Sequence, residues 1–151
     1  MGPTEFFNSL LEEFTYPPRR RSKARKPVAL IVDDDHDFLE LAATALTDEG
    51  FAVWVAATPG EAITWAVRHP PDVILLDILL RGSSSDGLDL LDVLRSEPET
   101  RYVPILACTA LSEREVGALL PEAGFDAVIP KPVDLRRVAL ALRESLRQPT
   151  E

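Results

Sequence analysis

Five short apolar segments recur along the chain, and their alternation with segments of helical periodicity most restricts its fold. They are rich in β-branched residues and span 28–32, 51–56, 73–76, 103–108 and 127–129. Each has the length of a strand and is apolar enough to be buried on both faces of a sheet. A strict alternation of strands and helices predicts a parallel sheet with right-handed crossovers. We therefore expect an α/β fold in which helices cover both faces of a five-stranded parallel sheet.

The intervening segments carry apolar residues at helical spacing, within 38–46, 62–66, 88–94, 116–120 and 135–146. Start signals precede four of these helices: Thr58-Pro59, Asp86, a Ser112/Glu115 capping box and Asp134. Gly50 and Gly124 are placed to end two of them. The sequence therefore predicts five helices as well as five strands.

Polar side chains that could carry chemistry follow four of the strands. They are Asp33, Asp34 and Asp35 after the first, Asp77 after the third, Thr109 after the fourth and Lys131 after the fifth. Ligands of open parallel sheets bind beyond the carboxyl ends of the strands, where the strand order reverses. For the order 2-1-3-4-5 the first and third strands are neighbours, so we expect their acids to converge.

This set of side chains is suited to a metal ion and to phosphoryl transfer. Three carboxylates from two strand ends form an all-oxygen site that favours a hard divalent cation such as Mg²⁺. Lys131 offers a positive charge and Thr109 a hydroxyl donor, which leaves Asp77 as a carboxylate able to attack phosphorus. The sequence therefore predicts Mg²⁺ as cofactor and Asp77 as nucleophile.

Composition and charge restrict where the protein works and what it binds. With 46% hydrophobic and 27% charged residues, the chain has the balance of a soluble domain, and it lacks an apolar run that could span a membrane. A single cysteine, Cys108, fits a reducing compartment, so we expect a cytoplasmic protein. Residues 1–26 carry six basic and three acidic residues, which leaves the rest of the chain at −12. This net negative charge of residues 27–151 argues against direct binding of nucleic acid by that part of the chain.

Four motifs in order resemble those of the receiver domain of two-component response regulators. They are IVDDD at the first strand end, DVILLD before the nucleophile, PILACTA with the hydroxyl residue and PKP with the lysine. The resemblance extends from residue 27 to about 147. It implies the flavodoxin-like three-layer sandwich of chemotaxis-regulator-like proteins, and we take 27–148 as the receiver domain.

The resemblance also implies roles for individual residues. Asp77 would be the phosphoacceptor, and Asp33 and Asp34 would hold Mg²⁺ together with the carbonyl group of Leu79. Thr109 would bind a phosphoryl oxygen and Lys131 would pair with the phosphoryl group, across a cis Lys131-Pro132 bond. Asp35 would be peripheral.

By resemblance, a sensor histidine kinase or phosphotransfer protein would donate the phosphoryl group. The domain would catalyse its own phosphorylation and slow dephosphorylation. Phosphorylation would alter the surface of the fourth helix, fifth strand and fifth helix, and thereby the affinity for an unidentified downstream protein.

The sequence departs from the family pattern at two places. In LLRGSSSDG, Arg81 stands where the family has proline and the loop is two residues longer, so we expect greater mobility there. Val128 stands three residues before the lysine, where the family often has an inward-turning aromatic ring. The aromatic relay of the family is therefore not expected to operate unchanged.

Two alternatives remain at the level of sequence. A haloacid-dehalogenase-like phosphohydrolase would use Asp33 and Asp35 as nucleophile and acid/base, but that family has Thr or Val at the position of Asp37. A pseudo-receiver would bind partners without phosphorylation, which the intact acids, Thr109 and Lys131 disfavour. We keep the phosphorylated receiver as the first hypothesis.

Residues 1–26 form a separate N-terminal region. Five apolar residues, Phe6, Phe7, Leu10, Leu11 and Phe14, share one helical face. The following YPPRRRSKARKP has the composition of a solvated linker. We expect the apolar face to contact another molecule, either a partner or a second copy in a homodimer. Since no output domain follows Gln148, we expect either a stand-alone regulator or a piece of a longer protein, and the initial Met1 favours the stand-alone regulator.

Overall fold

The structure, a computed structural model, describes residues 25–80, 84–119 and 124–147. Its strands are β1 (Val28–Val32), β2 (Ala52–Ala56), β3 (Val73–Leu76), β4 (Ile105–Thr109) and β5 (Ala127–Pro130). Its helices are α1 (His36–Asp48), α2 (Pro59–Arg68), α3 (Ser84–Ser96), α4 (Glu113–Leu119) and α5 (Leu135–Arg147). The predicted alternation of strands and helices is therefore confirmed.

The five strands form one parallel sheet in the order β2-β1-β3-β4-β5. Ile31 pairs with Leu75 between β1 and β3, and Leu75 with Leu106 between β3 and β4. The strand order reverses between β1 and β3, and the residues after these strands emerge side by side. The α/β fold class and the strand order predicted from the sequence are confirmed.

The sheet has an apolar core on each face because alternate residues of its central strands point to opposite sides. Ala29, Ile31, Val73 and Leu75 pack on one side with residues of α1 and α5, including Leu39, Leu46, Val138 and Leu142. Leu30, Val32, Ile74 and Leu76 pack on the other with residues of α2 and α3, including Ala62, Ala66, Leu91 and Leu94. Every residue of β3 and β4 is buried, which explains why these strands are apolar throughout except for Thr109 at the end of β4.

Most of the helix boundary signals act as the sequence predicted. The Thr58 hydroxyl accepts a hydrogen bond from the Glu61 amide at 3.1 Å, and Ser112 and Glu115 form the reciprocal bonds of a capping box. Gly50 follows α1 with φ of 98°, a conformation that favours glycine. The prediction for Asp86 was wrong. Helix α3 begins at Ser84, so Asp86 lies within the first turn, where the helix dipole favours a negative charge.

Several predictions fall on residues outside the described ranges, or on side chains within them that the structure does not describe. They concern the amphipathic segment and linker up to residue 24, the loop residues 81–83, and the side chains of Val116, Leu119 and Leu120. These remain predictions. Within the described ranges, no helix combines the length and the apolar character needed to cross a membrane.

Candidate functional site

Three carboxylates meet at the carboxyl edge of the sheet, beside the strand-order reversal. Oxygen atoms of Asp33, Asp34 and Asp77 all lie within 4.8 Å of one another. Asp33 and Asp77 are buried, whereas Asp34 is exposed. The convergence predicted from the sequence is therefore observed.

The main chain holds these acids in place because the hydrogen-bond ladder continues past the strand ends. The Asp77 amide donates to the Val32 carbonyl at 2.9 Å, and the Asp33 amide donates to the Ala56 carbonyl at 3.1 Å. Each carboxylate also accepts a local bond: Asp77 Oδ1 from the Leu79 amide and Asp33 Oδ1 from the Asp35 amide, both at 2.9 Å. The Leu79 amide thus orients the Asp77 carboxylate, and the Asp35 amide orients the Asp33 carboxylate.

Lys131 reaches the same cluster from the far end of β5. Its Nζ donates to Asp33 Oδ2 at 2.5 Å and to Asp77 Oδ2 at 3.2 Å. The Lys131 amide donates to the Thr109 carbonyl at 2.8 Å, and the Lys131-Pro132 peptide bond is cis, as predicted. The lysine therefore bridges the two buried carboxylates.

The pKa values of Asp33 and Lys131 are shifted by burial and by their contact with each other. Burial raises the pKa of Asp33, which outweighs the lowering by its hydrogen bond from Lys131. Burial acts against the charged form of Lys131, but its bond to Asp33 and the charges of Asp77 and Asp33 raise the pKa overall. The raised pKa of Lys131 keeps its ammonium group protonated, whereas the raised pKa of Asp33 makes its carboxyl group harder to ionise. Three carboxylates and one ammonium group leave a formal surplus of two negative charges.

The donor set fits the predicted metal ion. Mg²⁺ prefers carboxylate and carbonyl oxygens and retains several waters, and this cluster offers three carboxylates, one of them open to solvent. A divalent cation would also offset the surplus negative charge. Asp33, Asp34 and Asp77 are the residues that would hold it, with Leu79, which is half-buried two positions after Asp77, as the expected carbonyl donor.

Thr109 and Asp35 occupy different positions relative to the cluster. Thr109 is the last residue of β4, next to β3, and it is fully buried. Its hydroxyl accepts a 3.3 Å bond from the Leu111 amide. Asp35 caps α1 by accepting from the Asp37 and Phe38 amides. Of the three consecutive acids, Asp35 is the one that lies outside the carboxylate cluster of Asp33, Asp34 and Asp77, as the resemblance implied.

Sequence reasoning missed two residues that shape the site. The Phe38 ring centroid lies 4.3 Å from Lys131 Nζ, so the ring covers the ammonium group that bridges the acids. Gly87 in α3 lies against Ile78, and a Cβ there would come within 2.2 Å of the Ile78 carbonyl oxygen. The local sequence pattern predicts neither contact. Phe38 and Lys131 are far apart in the sequence, and Ile78 and Gly87 are joined by a loop.

Comparison with known proteins places these observations in context. The family model for the response regulator receiver domain matches residues 29–143. A putative response regulator from Chloroflexus aurantiacus has a similar solved structure, with a TM-score of 0.74 at 30% sequence identity. The similarity covers 82% of this chain and 100% of that one.

Two curated relatives are larger proteins. The probable transcriptional regulatory protein TcrX of Mycobacterium tuberculosis is 36% identical over 129 residues, which is 85% of this chain and 53% of TcrX. The nitrogen assimilation regulatory protein NtrX of Azorhizobium caulinodans is 34% identical over 118 residues, 78% of this chain and 25% of NtrX. The chain thus spans about half, or about a quarter, of the length of these relatives.

Proposed function

Because the chain belongs to the family of response regulator receiver domains, we propose that it is a signalling switch controlled by phosphorylation of Asp77. The donor would be a sensor histidine kinase or a phosphotransfer protein. Residues 27–148 would form the receiver domain. One observation carries the proposal: the buried carboxylate of Asp77 has an oxygen within 4.8 Å of oxygens of Asp33 and Asp34 and accepts from Lys131 Nζ at 3.2 Å.

The chemistry follows from these positions. An Asp77 carboxylate oxygen attacks the phosphorus of a phosphohistidine, so a P–O bond forms while the P–N bond breaks. The departing imidazole keeps the electron pair of that bond and takes up a proton. Lys131 pairs with the phosphoryl group, and the Thr109 hydroxyl donates to one of its oxygens. Bound Mg²⁺ would supply neutralisation of the charge on the transferring group.

The alternative phosphohydrolase fits the geometry less well. It needs the Asp35 carboxylate as acid/base beside Asp33, but Asp35 accepts from two backbone amides at the start of α1, at 3.0 and 3.2 Å. Asp33 is itself held by Lys131. Asp77, at the end of the neighbouring strand, is the better nucleophile.

Acetyl phosphate provides the direct test. After incubation with Mg²⁺, we expect an acid-stable, base-labile adduct, and peptide mapping should place it on Asp77. An adduct on Asp33 would support the phosphohydrolase instead. Absence of any adduct would support the pseudo-receiver.

Mg²⁺ should raise the melting temperature, because binding to the folded state alone stabilises it and relieves repulsion among the three acids. The gain would be about 2.7 kcal/mol at a hundredfold excess over the dissociation constant. Differential scanning fluorimetry with and without Mg²⁺ measures it. Asp34→Ala should abolish the shift, whereas Asp37→Ala, an exposed acid outside the cluster, should keep it. An equal shift in Asp34→Ala would contradict the assigned ligands.

The phosphorylated form should be long-lived for this family. Leu79 and Leu111 stand two residues after Asp77 and Thr109, at positions that flank the path of attacking water in receivers, and neither side chain can orient a water molecule. The Leu79→Asn, Leu111→Glu double variant should lose its phosphoryl group about tenfold faster, a change of about 1.4 kcal/mol in the barrier. The decay of the adduct after removal of acetyl phosphate measures this. Equal half-lives would count against the prediction.

The output surface would comprise α4, β5 and α5, whose affinity for a downstream protein or a second copy would change on phosphorylation. Val128, in β5, is half-buried and offers no ring that could turn inward. The conformational signal would therefore pass through Thr109, at the end of β4, and Lys131, which directly follows β5 and donates from its amide to the Thr109 carbonyl.

A further inference from the structure

A cleft of about 310 Å³ lies at the amino end of the sheet, on the opposite edge from the carboxylates. It is formed by the segments that precede β3 and β4. Tyr102, 67% exposed, provides an aromatic surface. Four prolines line the cleft beside it: Pro70, Pro71, Pro98 and Pro104.

The walls of this cleft are fixed by hydrogen bonds. The Arg95 guanidinium donates to the carbonyls of Arg101 at 3.1 Å and Val103 at 2.7 Å. The Thr100 hydroxyl donates to the Leu94 carbonyl, and the Ile74 amide donates to the Pro104 carbonyl. A ligand would therefore meet a formed surface, which lowers the entropic cost of binding.

The cleft carries acidic groups, and one already holds a basic residue of the N-terminal region. Asp72 and Glu99 line it. The Arg25 guanidinium donates to both carboxylate oxygens of Asp72, at 3.2 and 3.4 Å, and the Val28 amide donates to Asp72 Oδ2 at 2.7 Å. Asp72 is therefore already engaged, and Glu99 is the acid on which further basic side chains would dock. Arg101, whose guanidinium lies 5.9 Å from the Tyr102 ring centroid, partly offsets this negative charge.

The chain that leads to Arg25 has the chemistry this cleft would recognise. Residues 16–21 read YPPRRR. Consecutive prolines favour the polyproline II conformation, which binds to grooves lined by aromatic and proline side chains. The arginines complement the carboxylate of Glu99. Residues 18–25 can extend about 25 Å, so the segment can reach a cleft that Arg25 already borders.

We propose that residues 16–21 bind the cleft of their own chain, with Pro17 and Pro18 against Tyr102 and the arginines facing Glu99. Tethering at Arg25 makes the binding intramolecular, with an effective concentration on the order of millimolar. The proposal rests on the cleft and its charges and is independent of phosphorylation.

Paramagnetic broadening in the full chain tests this docking. A nitroxide is attached at Thr15→Cys, while the native Cys108 stays unlabelled because it is buried and burial raises its pKa to about 12. A labelling reaction on the protein without Thr15→Cys verifies this. We expect the amide signals of Glu99, Tyr102 and Val103 to lose more than half of their intensity, and those of Asp34 and Lys131 to be unaffected.

Two sets of variants distinguish specific docking of residues 16–21 in the cleft from mere closeness of the nitroxide to it. Glu99→Gln with Tyr102→Ala, or Arg19→Gln, Arg20→Gln and Arg21→Gln together, should restore most of the lost intensity. Leu140→Ala with Glu144→Gln, an exposed pair on α5, should leave the broadening unchanged. Added salt should weaken it, because screening acts on exposed charges.

Two results would overturn the proposal. The first is equal broadening in the protein with and without the cleft substitutions. The second is broadening of isotope-enriched molecules that carry no nitroxide when they are mixed with nitroxide-labelled molecules that are not enriched, since this would identify a second copy as the occupant.

Discussion

Replacing Asp77 by Asn should reduce phosphorylation by acetyl phosphate on the order of 10³-fold or more, the scale of loss expected when a nucleophile is removed. The amide keeps the shape of the carboxylate and can still accept from the Leu79 amide, which donates to Asp77 Oδ1 at 2.9 Å. The fold should therefore persist. Phosphate-affinity electrophoresis or intact mass measures the adduct, and circular dichroism measures the fold.

Asp35→Asn is the matched control for that experiment. Asp35 belongs to the same run of acids but caps α1, and Asn is as good a cap as Asp. We expect nearly unchanged phosphorylation and stability in this variant. If Asp77→Asn were still phosphorylated and Asp35→Asn were not, the phosphohydrolase assignment would replace the receiver assignment.

Gly87→Ala should lower the free energy of unfolding by about 3 kcal/mol, at the upper end of the usual cost of overpacking. The added Cβ would lie 2.2 Å from the Ile78 carbonyl oxygen and 2.6 Å from the Ile78 Cα. These are backbone atoms, so no side-chain rotation relieves the clash, and either α3 or the segment after Asp77 must move. Equilibrium urea denaturation measures the loss.

The same displacement should slow phosphorylation in the folded protein, since Ile78 directly follows Asp77. Gly60→Ala in α2 is the matched control, because a Cβ at Gly60 meets nothing within 4 Å. Alanine is favoured over glycine within helices, so this variant should be as stable as the wild type or gain up to about 1 kcal/mol. Equal stability of the two alanine variants would show that the chain can move away from Gly87 at little cost.

Much of the fold was predictable because its signals are local. The apolar runs of β1 and β3 matched their strands at both ends. The run 103–108 did not: β4 begins at Ile105 and ends at Thr109, so the threonine expected after the strand is its last residue. The start of α3 was also misplaced. Both errors concern element boundaries, which depend on contacts with neighbouring segments as well as on local composition.

The candidate site likewise has some features that could be predicted from the sequence and others that could not. Its acids, hydroxyl and lysine could be identified because each follows an apolar run, and parallel strands bring such positions to one edge. The covering of Lys131 by Phe38 could not, because the two residues are 93 positions apart and neither carries a pattern that points to the other. The cleft at the opposite edge was also absent from the sequence reasoning, since its prolines and Tyr102 come from two separate segments.

The sequence by itself determined the layered fold and the residues at the carboxyl edge, because hydrophobic periodicity and the handedness of crossovers act over short stretches of chain. The strand order followed from the resemblance to receiver domains. The tertiary structure alone decided that Asp33 and Asp77 are buried while Asp34 is exposed, that Lys131 bridges the buried pair, and that α3 touches Ile78 at Gly87. These features depend on how closely packed elements approach one another. Distances of a few ångströms between residues remote in sequence are set by the packing of the whole core, which no local pattern encodes.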